Sequence, residues 1–252
     1  EALAGSFFEP ALVKAFLETS VSEAFWLTLE PHHLERQINE AALQFSDTRE
    51  LTSLELMQLA QIFARIVDDK STFTAEHSTG VSRLSRLLGQ LSGLPAKDCE
   101  LLEIAGLLHD IGKLRVPDGV LDKPGPLNEA EFAVIERHTF ETWQVLRRIR
   151  AFGQVAEWAS FHHESIKGNG YPFHRHDGEI PIQARIVAVA DVFQAMAQDR
   201  PYRSTAGPDG VRAVLARMTV AGQLDSTIIA SVEANFDACW EAATGKKYAQ
   251  TT

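Results

Sequence analysis

Apolar positions along this chain recur every three or four residues, the spacing of one face of an α-helix, in a series of segments separated by polar or Gly/Pro breaks. The first segment follows Pro10, a residue suited to a helix first turn, and carries Leu12, Val13, Phe16 and Leu17. A second follows Pro31 with Leu34, Ile38, Ala42 and Phe45, until Ser46-Asp47-Thr48 breaks it. Thr52 or Ser53 caps a third, with Glu55 placed to complete the cap and Leu54, Leu56, Leu59, Ile62, Phe63 and Ile66 as its apolar face. Asp68-Asp69-Lys70-Ser71 interrupts. The next helix carries His77, Val81, Leu84, Leu87 and Leu88 and ends near 89–93. Asp98 begins another, apolar from Leu101 to Leu108, and Gly112 stops it. A Pro/Gly-rich loop, 116–127, leads to Asn128, the cap of a long helix with Phe132, Ile135, His138, Trp143, Leu146 and Ile149. Further helices are predicted from Phe152 to His163, Ile182 to Ala197, Pro208 to Met218 and Asp225 to Trp240. No set of alternating strand segments appears, so the expected fold is all-α: a helical bundle over 51–252, preceded by an additional N-terminal helical segment, 1–50.

Composition narrows the classes. Apolar residues make up 45% and charged residues 23% of 252, ordinary for a soluble globular chain. The net charge of −10 argues against a general nucleic-acid or anionic-membrane binder, while leaving room for a small anionic ligand in a local basic pocket. Cys99 and Cys239 are far apart and outside any C-x-x-C spacing, which favours a reducing, cytoplasmic location. The most apolar run, Ile186 to Ala197, is too short to span a bilayer and contains Asp191. The chain begins at Glu1, as a piece of a longer protein would. The segment from Ala4 to Val13 echoes that from Ala221 to Ile229, so residues 1–30 read either as a chance match or as the tail of a related upstream domain.

The chemistry begins at Leu107-Leu108-His109-Asp110-Ile111-Gly112-Lys113. A carboxylate in such apolar surroundings is costly to bury unless it is paired or bound to metal. His77, His138, His162, His163 and Asp191 lie on or at the ends of other predicted helices, with gaps of roughly 24–32 residues, one helix plus its connection. Asp191 sits inside Val187-Ala188-Val189-Ala190-Asp191-Val192-Phe193, which no solvated face explains. Side chains spaced in this way can converge inside a bundle. Nitrogen and carboxylate donors without thiolate favour Fe, Mn, Zn or Ni, with Mg a further possibility. Seven donors exceed what one ion needs, so two divalent ions bridged by Asp110 are expected. His32 and His33 read as solvent-exposed.

These motifs carry a resemblance. H-D-I-G-K at 109–113, H-H-E at 162–164, G-Y-P at 170–172, I-P-x-x-A-R-I at 180–186, A-D-V-F at 190–193, D-R-P-Y-R at 199–203 and L-x-K-P-G-x-L at 121–127 resemble the HD-GYP family, a branch of the HD metal-dependent phosphohydrolases. The resemblance covers about residues 52–235. It implies an all-helical HD-domain bundle, a di- or tri-metal centre of iron or manganese, and hydrolysis of the bacterial second messenger cyclic di-GMP to linear pGpG and onward to GMP. By position it implies one ion on His77, His109, Asp110 and Asp191 and another on Asp110, His138, His162 and His163. A hydroxide bridging the ions would attack phosphorus in line with the departing 3′ oxygen. Lys113 resembles the family's lysine beside the metals, and also suits a helix C-terminus. Arg200 and Arg203 resemble its phosphate-gripping pair, unless they pair with Asp199 or Glu179. Gly168 to Pro172 would form the lip of the site, with Tyr171 offering a ring and a hydroxyl to substrate.

The sequence departs from the family at four places. Trinuclear members carry an acid four residues before the first histidine, and sometimes another six before; here stand Phe73 and Ser71, so two ions are expected rather than three. Lys167 replaces a usual acid, either to bind phosphate or as a solvated loop lysine. Gln194 stands where the family usually has Asp. These last two bear on substrate preference, and leave two alternatives to cyclic di-GMP hydrolysis: another cyclic dinucleotide such as cyclic GMP-AMP, or a low-activity sensor module. Exposed Phe7, Phe8 and Phe16 are candidates for packing on a second copy, and an upstream regulatory domain is a further expected partner.

Overall fold

In the computed structural model the described residues are 5, 8–22, 25, 26, 29, 38, 51–70, 77–198 and 207–248. The packing divides the chain into two units, 1–50 and 51–252. In the first, α1 (Pro10–Ser20) starts with proline in its first turn and buries none of its residues. Phe16, Phe25 and Trp26 meet edge to face, with ring centroids 5.2–6.4 Å apart. Apart from Ile38, the predicted helix after Pro31, with His32 and His33, lies outside the described residues, as do Phe7, Ser71 and Phe73.

The second unit holds α2 (Ser53–Lys70), α3 (His77–Leu91), α4 (Ala96–Leu108), a 3-10 turn (Ile111–Arg115), the short α5 (Asp118–Leu121), α6 (Glu129–Leu146), a second 3-10 turn (Arg150–Phe152), α7 (Gly153–Ser160), α8 (Ile182–Ala197), α9 (Gly207–Val220), α10 (Ser226–Ala234) and α11 (Phe236–Thr244). No β-strand forms among the described residues. None of their helices is long and apolar enough to cross a membrane. The caps follow the sequence signals. Thr52 and Glu55 exchange hydrogen bonds at the start of α2, and Asn128 and Glu131 form a capping box on α6.

α4 is apolar on nearly every side and lies at the centre, against α2, α3, α7 and α8. Two glycines set how closely α3 and α4 pack. A Cβ on Gly106 would lie 2.7 Å from the Ser82 backbone, and one on Gly89 would lie 2.7 Å from Leu102. α8 is the second core helix, with Ile186, Val187, Val189, Ala190 and Phe193 fully buried. Each of these side chains larger than alanine contributes about 1.5–3 kcal/mol of hydrophobic stabilisation. Phe193 closes the far end of the core on Phe236 and Trp240 of α11.

Four boundaries differ from the sequence pattern. Gly112 does not simply stop α4: the α-helix ends at Leu108 and the chain tightens into a 3-10 turn that contains the glycine. The loop 116–127 forms one turn of helix, α5. The helix expected to reach His163 ends at Ser160, so both histidines sit on the turn beyond it. The single helix expected from Asp225 to Trp240 is two, broken at Asn235 with φ −131°. Asp225 caps the first of them, accepting from the backbone N–H groups of Thr227 and Ile228. Asp68 also differs from a solvated helix break: it is buried and accepts the Ser78 hydroxyl at 2.7 Å.

Candidate metal centre

Five elements deliver the seven predicted donors to one interior point. His77 is the first residue of α3, His109 and Asp110 link α4 to the 3-10 turn, His138 lies on α6, His162 and His163 follow α7, and Asp191 lies on α8. Three overlapping groups have ligand atoms all within 4.8 Å of one another: His77, His109 and Asp191; His138, His162 and His163; and His109, Asp110 and His162. Asp110 stands between the first two. Its Oδ2 lies 3.3 Å from His109 Nε2 and 3.9 Å from His77 Nε2, and its Oδ1 lies 3.4 Å from His138 Nε2. Asp191 Oδ1 is 3.2 Å from His77 Nε2 and 3.8 Å from His109 Nε2.

The ring orientations have a common cause. His109, His138 and His162 each bond through Nδ1 to the backbone carbonyl three residues earlier: Gly106 at 2.8 Å, Ile135 at 2.6 Å and Ala159 at 2.6 Å. A carbonyl only accepts, so Nδ1 carries a proton and Nε2 is the nitrogen turned inward. His77 bonds through Nδ1 to the side chain of Gln194 instead. The Nε2 atoms of His138 and His162 therefore face each other at 3.4 Å as two acceptors. His109 Nε2 is fully buried without a hydrogen bond of its own. Opposed lone pairs and an orphaned buried nitrogen are what a cation would satisfy, and the donor set fits divalent transition metals.

Electrostatics separate the two sides. Burial drives the Asp110 and Asp191 carboxyls upward, but neighbouring histidines, and Lys113 beside Asp110, outweigh it and hold both below the usual carboxylate range. Burial would lower His109, yet the Asp110 and Asp191 carboxylates raise it to about 9. Burial lowers His138 to about 3, with His163 and Lys113 adding to it against the pull of Asp110. His162 falls well below its ordinary value through burial and the surrounding histidines.

The predicted substrate residues are placed as follows. The Lys113 ammonium pairs with Asp110 Oδ2 at 2.5 Å. Tyr171 lies over His163 with ring centroids 4.9 Å apart, and its backbone N–H donates to the His163 carbonyl. Lys167 is exposed, its backbone N–H tied to the Gly222 carbonyl. Arg200 and Arg203 lie outside the described residues.

Several supporting residues carry no motif-independent signal. Glu164 is buried and accepts from the backbone N–H groups of Phe173 and Arg175, fastening the loop after the histidine pair. Thr142 receives the Gly112 N–H and donates to the His109 carbonyl. Gly112 is required by contact: a Cβ there would come within 1.9 Å of the His138 carbonyl. Gly170 is likewise packed on the backbone of His163 to Ser165. Helical periodicity reports none of this, because these contacts join residues from different elements.

A family model described as HD domain matches residues 61–228. The chain belongs to the HD domain family. Its H-D, H-H-E and G-Y-P motifs set it in the HD-GYP branch. This HD domain is 37% identical over 226 residues to 3′3′-cGAMP-specific phosphodiesterase 1 of Vibrio cholerae, covering 90% of the chain and 52% of that protein. It is 40% identical over 134 residues to a cyclic di-GMP phosphodiesterase of Pseudomonas aeruginosa, covering 52% of the chain and 32% of that protein. Among solved structures, a cyclic GMP-AMP-specific phosphodiesterase of V. cholerae matches with a TM-score of 0.52 and 29% identity, over 93% of the chain and 53% of that structure. The chain spans about half the length of 3′3′-cGAMP-specific phosphodiesterases 1 and 3 of V. cholerae.

Proposed function

We propose that this HD domain is a metal-dependent phosphodiesterase that opens cyclic di-GMP to linear pGpG and onward to GMP. The observation that carries the reading is the sharing of Asp110, one oxygen toward the triad of His77, His109 and Asp191 and the other toward His138 of the second triad. Two divalent ions, iron or manganese, would be held there, and when bound they supply Lewis acidity to phosphoryl oxygens and activate water at neutral pH. The protein's own part is positioning and charge. Asp110 and Asp191 are held ionised, and His77, His109, His138 and His162 turn Nε2 inward because Nδ1 is committed elsewhere. Lys113 is 23% exposed at the rim and sits where negative charge would grow on a phosphodiester. Tyr171, over His163, offers a ring and a hydroxyl to substrate, Arg200 and Arg203 are assigned by their motif to grip phosphate, and the exposed Lys167 is a further candidate for phosphate. Both cysteines are free and buried, in keeping with action in the cytoplasm.

The similarity to V. cholerae phosphodiesterases named for 3′3′-cGAMP, over 90% of this chain, favours that cyclic dinucleotide as a second reading. The test is one assay: metal-free, Mn(II)-loaded and Fe(II)-loaded protein with each cyclic dinucleotide, resolving linear dinucleotide from mononucleotide. The expected result is metal-dependent linear product, with the ratio of kcat/KM values choosing the substrate. Binding of either ligand by loaded protein with no linear product would make the domain a sensor and overturn the enzyme reading.

A further inference from the structure

His77 differs from its three partners in how its ring is held. His109, His138 and His162 each use a carbonyl three residues earlier in the chain, 2.6–2.8 Å away. His77 is the first described residue of α3. Its ring takes a partner from across the bundle instead: Gln194, 117 residues away on α8.

The surroundings are shaped for that amide. Gln194 is 2% exposed. Its Oε1 faces His77 Nδ1, and its Nε2 donates to Gln198 Oε1 at 3.1 Å. The second bond fixes which end of the amide faces the ring, since a nitrogen donating to Gln198 leaves the oxygen for the histidine. Gly80, one turn along α3, supplies the room. A Cβ there would stand 2.7 Å from Gln194 Cγ, 3.0 Å from its Nε2 and 2.3 Å from the Ala243 carbonyl of α11. The slot between α3 and α11 therefore exists only because residue 80 lacks a side chain, and Gln194 fills it.

We propose that Gln194 is the positioning residue of the His77 side of the centre. Its amide oxygen holds the His77 proton on Nδ1 and aims Nε2 at Asp191 and Asp110. It thereby sets the affinity of one of the two ions independently of the other. The amide is neutral, so it orients the ring without adding a third buried carboxylate to Asp110 and Asp191. The net charge at the loaded centre stays one unit more positive than a carboxylate partner would leave it, which favours a doubly anionic ligand. This inference rests on the metal-centre reading above.

The test uses metal-free protein titrated with Zn(II) against a chelator, and 15N NMR of the histidine rings in the Zn(II)-loaded protein. Gln194→Met keeps the length of the side chain and removes the acceptor; Gln194→Glu keeps an acceptor oxygen. In Gln194→Met one ion is expected to weaken by roughly 10- to 100-fold, the usual cost of removing the outer partner of a ligating histidine. The other ion keeps its affinity, and the His77 signals lose the Nδ1-protonated, Nε2-ligated pattern. Gln194→Glu restores both the affinity and the pattern. Equal weakening of both ions would assign Gln194 to packing alone, and unchanged binding of both would show that the amide does not hold the ring; either overturns the proposal. Wild-type protein that takes up no ion would instead overturn the metal-centre reading, so the two failures are distinguishable.

Discussion

The two triads on either side of Asp110 are built from the same ring but in opposite electrostatic settings. The His77, His109 and Asp191 side contains a carboxylate of its own, and His109 keeps its proton up to about pH 9 without metal. The His138, His162 and His163 side has only imidazoles, and burial drives His138 down to about 3. One side is a preformed ion pair that a metal must displace. The other is a set of imidazoles that burial keeps neutral, with Asp110 Oδ1 3.4 Å from His138 and Asp191 acting on His162 and His163 from across the centre. On the proposed reading such a site would hold two ions unequally, with Asp110 as the residue on which both would depend.

That dependence gives the largest expected effect. Asp110→Ala should abolish binding of both ions and lower phosphodiester turnover by roughly a thousandfold or more, the scale of losing the central charge-stabilising group. Metal analysis alongside the product assay checks it, and a variant that kept one full ion would break the idea of a shared bridge. Next, Asp191→Asn and His163→Ala should each cost one ion and not the other. Asp191→Asn is expected to be the more severe, at about 100-fold in affinity, because it removes a charge as well as a donor. Equal losses in both variants would erase the distinction between the triads.

Gly112→Ala probes the seam between them. The added methyl would meet the His138 carbonyl, and backbone cannot yield as a side-chain tip can. About 3 kcal/mol of destabilisation is expected, the upper range for overpacking, read as a Tm lowered by roughly 6–12 °C. Loss of the His138-side ion should accompany it.

The smallest effect is a control outside both triads. Arg185 of α8 bonds Asp225 at 2.9 Å and Asp177 at 2.8 Å. Burial would raise the Asp225 carboxyl, but Arg185 and the backbone N–H groups that it caps hold it below its ordinary value. A depressed folded-state pKa contributes stability above the unfolded value near 4, and that stability is lost as pH falls through the folded pKa. Asp225→Asn should therefore cost about 1 kcal/mol at pH 7, and the difference from wild type should shrink below pH 4, with metal content unchanged. A persistent difference at pH 2 would assign the loss to packing instead.

Much of this is legible in the sequence. Apolar spacing marked the helices that build the core, and Ile182–Ala197 matches its predicted bounds because a helix buried on most sides leaves an unbroken apolar run. Asp191 stood out for the same reason, as a charge in a segment with no solvated face. Pattern and structure part where local signals compete. Asp225 to Trp240 reads as one amphipathic stretch, yet Asn235 breaks it and bonds back to the Ser231 carbonyl. Gly112 carries the usual mark of a helix stop, and is there because α6 passes too close for a Cβ.

The sequence alone determined which residues could bind, since donor type and the cost of burying a bare carboxylate belong to the residue itself. It determined the all-helical class as well, through a periodicity that needs no knowledge of neighbours. Only the tertiary structure decided which lone pairs converge, which oxygen of Asp110 faces which triad, and that His77 takes its partner from α8. Those are distances between elements far apart in the chain, set by how closely glycines 80, 106 and 112 let their helices approach.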